Sequence, residues 1–199
     1  MLAAFPHCEI GPHTSLFRVV RQGRGPWWFG SSLGGRFDLP VPEGTCYLAT
    51  DPLAALLEAI GADRTDGGVS ADFLRERRLR RLTLPHTVTL ADLTSRQAAG
   101  FGITGEIDTI VPYELPQAWA TRLREAGSEG LLYWLRHDPS RSPGIALFGP
   151  HGERTRWRRW REQPIAEDLR ARLAAECGIE VREAPRADQL TLKKAPVKS

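Results

Sequence analysis

A capped helix directly after a short strand constrains the fold of this chain more than any other segment. Residues 45–49 are rich in β-branched, aromatic and aliphatic side chains and predict a strand. Asp51 then predicts an N-cap, Pro52 the first helical position and Gly61 the end of the helix. The apolar side chains that predict its buried face recur at helical spacing, as Leu53, Leu56, Leu57 and Ile60. We therefore expect a strand that leads into an amphipathic helix packed on the sheet.

The remaining predicted elements are short and alternate irregularly between strands and helices. The predicted strands cover residues 16–20, 82–84, 88–90, 130–135, 145–148 and 179–182. The predicted helices cover residues 70–79, 116–126 and 164–177, with a short one begun by a capping box at Thr94 and Gln97. No internal repeat or long linker divides the chain, so we expect one α+β domain over residues 14–183. Residues 1–13 are predicted to be an irregular lead-in and residues 184–199 a flexible tail.

Charge and cysteine usage narrow the function classes. The 199-residue chain has a formal net charge of +3, which favours acidic partners weakly and suits an anionic small molecule as well as a nucleic acid. Its cysteines, Cys8, Cys46 and Cys177, are scattered and outside any CxxC spacing, which disfavours a disulfide framework and a zinc site. No apolar run approaches membrane-spanning length, and no signal-peptide pattern begins the chain. We therefore expect a cytoplasmic protein without a bound metal.

Three residues with complementary chemistry follow one another at even spacing: Arg36 in GGRFD, Tyr47 in CYLAT and Glu58 in ALLEAI. Each has an ordinary interpretation when taken singly: a cation that flanks a turn, an aromatic residue of a core strand, and a solvated carboxylate on a helix. Glu58, however, is predicted to point away from the apolar face of its helix, beside Ala54 and Ala55, whose small side chains leave room for a ligand. Together the three supply a cation, an aromatic ring and a carboxylate, as cleavage of the glycosidic bond of a dinucleotide requires.

The sequence words around these residues resemble the RES domain family. The matching words are LFRVV with Arg18, GGRFD with Arg36, CYLAT with Tyr47 and ALLEAI with Glu58, followed by EGLLYWLR and PGIALFG. The resemblance therefore spans residues 14–150 approximately. Members of that family are bacterial proteins, often toxins of toxin–antitoxin pairs, that consume NAD. The resemblance implies an ADP-ribosyltransferase-like fold, with a mixed or antiparallel sheet core and flanking helices.

The resemblance also implies a role for each matched residue. Arg36 would anchor the pyrophosphate of NAD, Tyr47 would stack on the nicotinamide ring, and Glu58 would stabilise the positive charge that develops on the ribose. Arg18 would add a second phosphate contact. NAD is then the substrate, and water or phosphate as acceptor makes the protein an NAD glycohydrolase or an NAD phosphorylase. The alternatives left open are an ADP-ribosyltransferase that modifies a macromolecule and a catalytically weak module that binds nucleotide or nucleic acid.

Two positions depart from the family pattern. Asp38 stands where an asparagine usually follows GGRF, and Leu135 stands where a serine usually lies two residues after the tyrosine. A leucine at that position removes a hydroxyl that would contact the nucleotide. The reaction and its acceptor are therefore left open by the sequence, whereas the expectation for the fold is unaffected.

Two aromatic segments have more than one interpretation. Residues 22–35 predict a loop in which Trp27 and Trp28 either wall a pocket or simply pack in the core. Residues 154–162, RTRWRRWRE, interleave arginines with Trp157 and Trp160, which suits nucleic acid, a solvated segment anchored by its tryptophans, or a docking surface for an acidic partner. The low net charge disfavours nucleic acid. We expect NAD and a separately encoded antitoxin as partners, and leave a homodimer open.

Overall fold

The computed structural model describes residues 2–61 and 67–183 of the chain. Its strands are β1 (His7–Ile10), β2 (Leu16–Arg21), β3 (Trp28–Phe29), β4 (Glu43–Ala49), β5 (Gly68–Ser70), β6 (Arg77–Leu82), β7 (Val88–Asp92), β8 (Gly130–Trp134), β9 (Pro143–Pro150), β10 (Gly152–Glu153), β11 (Trp160–Pro164) and β12 (Glu180–Arg182). Its α-helices are α1 (Pro52–Ile60), α2 (Ala71–Arg75), α3 (Glu114–Glu125) and α4 (Glu167–Cys177), and 3₁₀ turns cover Leu2–Ala4, Arg96–Phe101 and Gly105–Asp108. This mixture of strands and helices confirms the predicted α+β class.

One eight-stranded sheet organises the molecule, in the order β1-β7-β8-β9-β4-β2-β6-β11. Its neighbouring strands run antiparallel except for β7 and β8, which are parallel. β4 lies near the middle and pairs with β9, so that Tyr47 is opposite Ala146. Two small pairs, β3 with β10 and β5 with β12, flank this sheet. The sheet is therefore mixed, with the strand that carries Tyr47 at its centre.

Side chains alternate between the two faces of this sheet and build two hydrophobic cores. On one face α1, α3 and α4 cover the larger core, and each contributes a fully buried leucine to it. On the other face the loop that carries Trp27 and Phe29 covers a smaller core. Tyr47 packs against the larger core, whereas its neighbour Cys46 belongs to the smaller one. The alternation along β4 thus decides that the Tyr47 side chain faces the helices.

The local signals around α1 are confirmed. The helix begins at its proline and ends before a glycine with positive φ, as predicted. The N-cap is Asp51, whose Oδ1 accepts the backbone N–H groups of Leu53 at 2.8 Å and Ala54 at 3.0 Å. The predicted apolar face is buried, and Ala54 and Ala55 are buried as well. α1 therefore packs against the protein over most of its circumference and leaves Glu58 only half-buried.

Two helix predictions are wrong at one end because strand pairing takes up the residues. The helix capped by Ser70 covers only Ala71–Arg75 instead of continuing to residue 79, and the arginine-rich β6 follows it. β6 lies between β2 and β11, so its backbone groups find partners on both sides, which outweighs helix propensity. The strand predicted over residues 82–84 overlaps β6 only at its first residue. α4 starts at Glu167, later than predicted, because the preceding residues form the edge strand β11.

The first residues and the stretch after β7 also differ from expectation. Residues 7–10 of the predicted irregular lead-in form β1, which pairs with β7 at one edge of the sheet. The short helix predicted to begin at Thr94 is a 3₁₀ turn capped by Ser95, whose hydroxyl accepts the N–H of Gln97. The tail predicted over residues 184–199 lies outside the described residues. Every helix of the described ranges lacks the length or the apolar character that a membrane span needs.

Candidate functional site

One cavity of about 380 Å³ is lined by all three residues that the sequence analysis singled out, and we call it the Glu58 cavity. It lies on the helix-covered face of the sheet, against β2, β4 and α1. Arg36 enters it from the loop before β4, Tyr47 from β4 and Glu58 from α1. Further lining comes from Tyr113, Tyr133, Leu135, Arg136 and His137. The cavity therefore combines a carboxylate with guanidinium groups and aromatic rings, which suits an anionic ligand with a planar ring.

Glu58 presents a partly buried carboxylate to this cavity. Its Oε1 accepts the backbone N–H of His137 at 2.7 Å, which joins α1 to the loop after β8. Burial raises the pKa of Glu58 above its ordinary value, while the His137 N–H and the positive charge of Arg36 act in the opposite direction. The carboxyl group is thus held in place and is a stronger base than an exposed glutamate. Ala55 and Ala59 line the cavity beside it, so a ligand can approach closely.

Arg36 brings a buried guanidinium to the same cavity. Its Nη1 donates to the carbonyl oxygen of Ile110 at 2.7 Å and, at 3.5 Å, to that of Ile107. Its Cζ lies 4.7 Å from the centre of the Tyr113 ring, a cation–π contact. Nη2 is buried and has no hydrogen-bond partner within residues 2–61 and 67–183. Burial lowers the pKa of Arg36, so an anion bound at Nη2 would satisfy an unpaired donor and offset the cost of a buried charge.

The hydroxyl of Tyr47 is engaged within the protein, which leaves the ring to face the cavity. The hydroxyl donates to Asp38 Oδ1 at 2.9 Å and accepts the N–H of Phe37 at 2.8 Å. Asp38 is buried, and its Oδ2 accepts the N–H of Gly35 at 3.0 Å. A Cβ on Gly35 would lie 2.7 Å from the Tyr47 hydroxyl, so the turn before Arg36 requires glycine. Burial, reinforced by Asp38, holds the pKa of Tyr47 well above its ordinary value, which favours stacking over proton transfer.

The bond between Tyr47 and Asp38 should be visible in the stability of the protein. We expect Tyr47→Phe to lower the free energy of unfolding by about 1–3 kcal/mol, because the substitution leaves buried polar atoms of Asp38 and Phe37 without this partner. Urea denaturation measures the loss. The matched control is Tyr113→Phe, whose hydroxyl makes a 3.4 Å contact with Arg136. Equal stability of the two variants would contradict the assignment.

Arg18 lies on the opposite face of β2 from Phe17 and is engaged by the protein. Its Nη1 donates to the carbonyl oxygens of Pro26 at 2.7 Å and Trp28 at 3.1 Å, and to the Cys46 sulfur at 3.0 Å. These contacts tie the loop before β3 to β2 and β4. Arg18 also lines the Glu58 cavity. The structure therefore gives Arg18 a role in holding that loop, and its contact with phosphate stays a prediction.

Tyr133 and Leu135 form a wall of the cavity that lacks the expected serine hydroxyl. Both side chains are almost fully buried, and the Tyr133 ring meets that of Phe37 edge-on at 4.8 Å. A Cβ on Gly144, across the sheet on β9, would lie 2.8 Å from Tyr133 Cζ and would also overlap Leu135. Leu135 therefore fills the space that this glycine leaves. The two-residue alternation of a strand would have identified Tyr133 from the sequence, because it shares a face with Leu135.

Asp108 is a buried carboxyl group that the sequence did not reveal. It lies in the turn whose carbonyl oxygens, from Ile107 and Ile110, accept the hydrogen bonds of Arg36. Burial raises its pKa to about 6, although the N–H of Trp134 and the charge of Arg36 favour the ionised form. Its Oδ1 is buried and has no hydrogen-bond partner in the part of the chain that the structure describes. The segment that holds Arg36 thus contains a group that titrates just below neutral pH.

We expect Asp108→Asn to stabilise the protein at neutral pH, on the order of 1 kcal/mol. The folded state keeps a proton on Asp108 up to about pH 6, whereas an unfolded chain releases it near pH 4. The stability that this group contributes is therefore fully present below about pH 4 and is lost as the pH rises through about 6. Urea denaturation of both proteins at these two pH values measures the effect. A difference between them that does not depend on pH would contradict the assignment.

Comparison with known proteins agrees with this fold. The sequence model of the RES domain matches residues 15–172. Five chains of solved structures match the fold significantly. One comes from the crystal structure of the M. tuberculosis MbcT–MbcA toxin–antitoxin complex and aligns with a TM-score of 0.59 and 20% sequence identity, over 82% of this chain and 92% of that one. No curated protein sequence matches the chain significantly.

Proposed function

This chain belongs to the RES domain family, and from that membership and the Glu58 cavity we propose that it cleaves the bond between nicotinamide and ribose in NAD. The observation that carries the proposal is the convergence of Arg36, Tyr47 and Glu58 on one cavity from three separate elements. Each of these residues matches a word of the family pattern. Arg36, which lines the cavity, also has a buried guanidinium nitrogen without a partner among the described residues, which suits an anionic substrate.

The reaction needs charge stabilisation more than it needs an acid. Nicotinamide in NAD is a cationic leaving group, so it departs as a neutral molecule without being protonated. The ribose then carries positive charge at its anomeric carbon, as in glycoside hydrolysis. Glu58 supplies a negative charge that stabilises this centre, and its position is fixed by the His137 N–H. The Tyr47 ring stacks on nicotinamide, and Arg36 Nη2 donates to the pyrophosphate.

The acceptor completes the reaction by bonding to the anomeric carbon of the ribose, in place of nicotinamide. With water, an oxygen bonds to the anomeric carbon as the carbon–nitrogen bond breaks, and Glu58 takes the proton before passing it to solvent. The products are ADP-ribose and nicotinamide. With inorganic phosphate, a phosphate oxygen forms the new bond and the product is phosphorylated ADP-ribose. The raised pKa of Glu58 favours its action as the base in the first case.

We further propose that the chain acts as the toxin of a toxin–antitoxin pair. The structure that it resembles over most of its length is part of a complex described as toxin–antitoxin. An enzyme that removes NAD is harmful to the cell that makes it, which fits neutralisation by a separate antitoxin.

Nicotinamide release from NAD tests the enzymatic proposal directly. Purified protein is incubated with NAD, with and without inorganic phosphate, and the products are separated by chromatography. We expect nicotinamide in amounts that match the NAD consumed, together with ADP-ribose or its phosphorylated form. No nicotinamide under either condition would refute the catalytic proposal. Nicotinamide with neither free ADP-ribose nor its phosphorylated form would instead indicate transfer of the ADP-ribosyl group to the protein itself.

A catalytically weak binding module is the second candidate, and Leu135 is the observation that favours it. The cavity wall at this position is apolar and offers no hydroxyl to a nucleotide. Calorimetry with NAD, together with the nicotinamide assay, separates the two candidates, because such a module would bind NAD without releasing nicotinamide.

A further inference from the structure

A second cavity opens directly beside the Glu58 cavity. Its volume is about 550 Å³, and the two cavities share Arg18, Val19 and Ala59 as lining residues. β2 lines both cavities. Its residues 17–19 line the Glu58 cavity, and its residues 18–21 line the second cavity. From Phe17 to Arg21 the strand extends about 13 Å. The two cavities thus form one elongated trough along β2, with the small side chain of Ala59 where they meet.

The second cavity is strongly basic, and we call it the arginine cavity. Its charged lining residues are Arg18, Arg21, Arg24, Arg77 and Glu153. Arg21 and Arg24 are exposed to solvent. Arg77 is held in place by Phe73, with its Cζ 3.2 Å from the ring centre and its Nη1 donating to the Phe73 carbonyl oxygen at 3.0 Å. Four cations against one carboxylate favour an anionic ligand.

An exposed aromatic ring completes the arginine cavity. The Trp28 side chain is 46% exposed, although its neighbours Trp27 and Phe29 are buried. Its ring lies nearly perpendicular to that of His151, with 5.5 Å between the ring centres. An exposed indole ring suits stacking on another planar group. Glu153, on the strand β10 that pairs with β3, lies close against Gly25. A carboxylate in this position suits the hydroxyl groups of a ribose.

We propose that the arginine cavity holds the adenosine monophosphate half of NAD, with Arg24 and Arg21 on its phosphate, Glu153 on its ribose and Trp28 stacked on adenine. This inference rests on the proposed function, because it places the other half of NAD in the Glu58 cavity. The volume supports it: 380 Å³ lies at the low end for a cavity that buries a drug-sized ligand. A dinucleotide therefore extends beyond the Glu58 cavity. The trough along β2 gives its other half a path past Ala59 into the arginine cavity.

Charge reversal in the arginine cavity tests this placement. Arg24→Glu should weaken the binding of adenosine monophosphate, measured by calorimetry, by about 10- to 100-fold, because a charge-assisted contact is replaced by repulsion. Trp28→Ala should weaken it by about 5- to 100-fold through the loss of stacking. The matched control is Arg122→Glu on the exposed side of α3, away from both cavities. Unchanged affinity in both test variants would overturn the proposal.

Steady-state kinetics separates this site from a general effect on catalysis. Arg24→Glu should raise KM for NAD by a similar factor and leave KM for nicotinamide mononucleotide unchanged, since that substrate lacks the adenosine half. An equal rise for both substrates would overturn the placement. The protein could also bind adenosine monophosphate in a manner that depends on Arg24 and yet release no nicotinamide. That result would support the proposed site and refute the proposed reaction.

Discussion

Replacing Glu58 with glutamine is expected to lower the rate of nicotinamide release by about 10²–10⁴-fold while the protein stays folded. Glutamine has nearly the same shape, and its amide oxygen can still accept the His137 N–H that fixes the side chain. What the variant loses is the negative charge of the carboxylate, which the proposed reaction places beside the ribose, and the ability to take a proton. The measurement is kcat for nicotinamide release at saturating NAD, with a melting curve to show that the fold is retained.

The control for Glu58→Gln is Glu125→Gln, which removes an exposed carboxylate at the end of α3. It should leave the rate unchanged. The pH profile adds an independent reading: burial raises the pKa of Glu58, so activity should fall on the acid side at a pH above the ordinary value of about 4.3. Full activity in Glu58→Gln would rule this carboxylate out as a catalytic group.

Arg36→Lys is expected to lower kcat/KM for NAD by about 10²-fold or more. Lysine keeps the charge but lacks the planar fork with which arginine binds a carbonyl oxygen and a phosphate at once. In the structure Nη1 is taken by Ile110 and Nη2 has no partner among the described residues, so Nη2 is the donor that we propose for substrate. The single ammonium group of lysine cannot serve both at the same geometry. We expect most of the loss in KM, because phosphate binding is shared by the ground state and the transition state.

Arg122→Lys, on the exposed side of α3, is the control for a general effect of replacing arginine with lysine. A melting curve of Arg36→Lys shows whether the fold survives the loss of the bond to Ile110. Restored binding of NAD at low ionic strength would be consistent with a weakened phosphate contact. A folded Arg36→Lys variant with an unchanged KM would show that Arg36 does not hold the substrate.

Elements specified by local chemistry were predictable from the sequence. α1 has its N-cap, its proline and its terminal glycine within one short segment, and the structure reproduces all three. β2, β8 and β9 were likewise recognisable as apolar runs. β6 was not, because the arginine-rich strand Arg77–Leu82 becomes favourable only when neighbours pair with it on both sides. The edge strand β11 was not recognisable either, since it forms by pairing with β6. That pairing joins residues far apart in the chain and leaves no local signal.

The candidate site divides in the same way. Arg36, Tyr47 and Glu58 were found because they stand in recognisable words of sequence. Asp38 was noted only as a departure from the family pattern, and its bond to Tyr47 depends on how the loop returns to β4. Asp108 was not noticed, because its burial follows from the packing of the turn around Arg36. The arginine cavity is assembled from β2, the loop after it and β6, so it exists only in the folded protein.

The position of β9 has a consequence for synthesis on the ribosome. β9 joins β8 to β4, and the loop before it carries His137, whose N–H binds Glu58. When Arg36, Tyr47 and Glu58 have emerged from the ribosome, the growing chain therefore still lacks β9, the strand that connects β4 to β8. Pairings between residues so distant in sequence form slowly. Under the proposed function, the nascent protein stays inactive until most of it has emerged, which would let a partner made at the same time bind before any NAD is consumed.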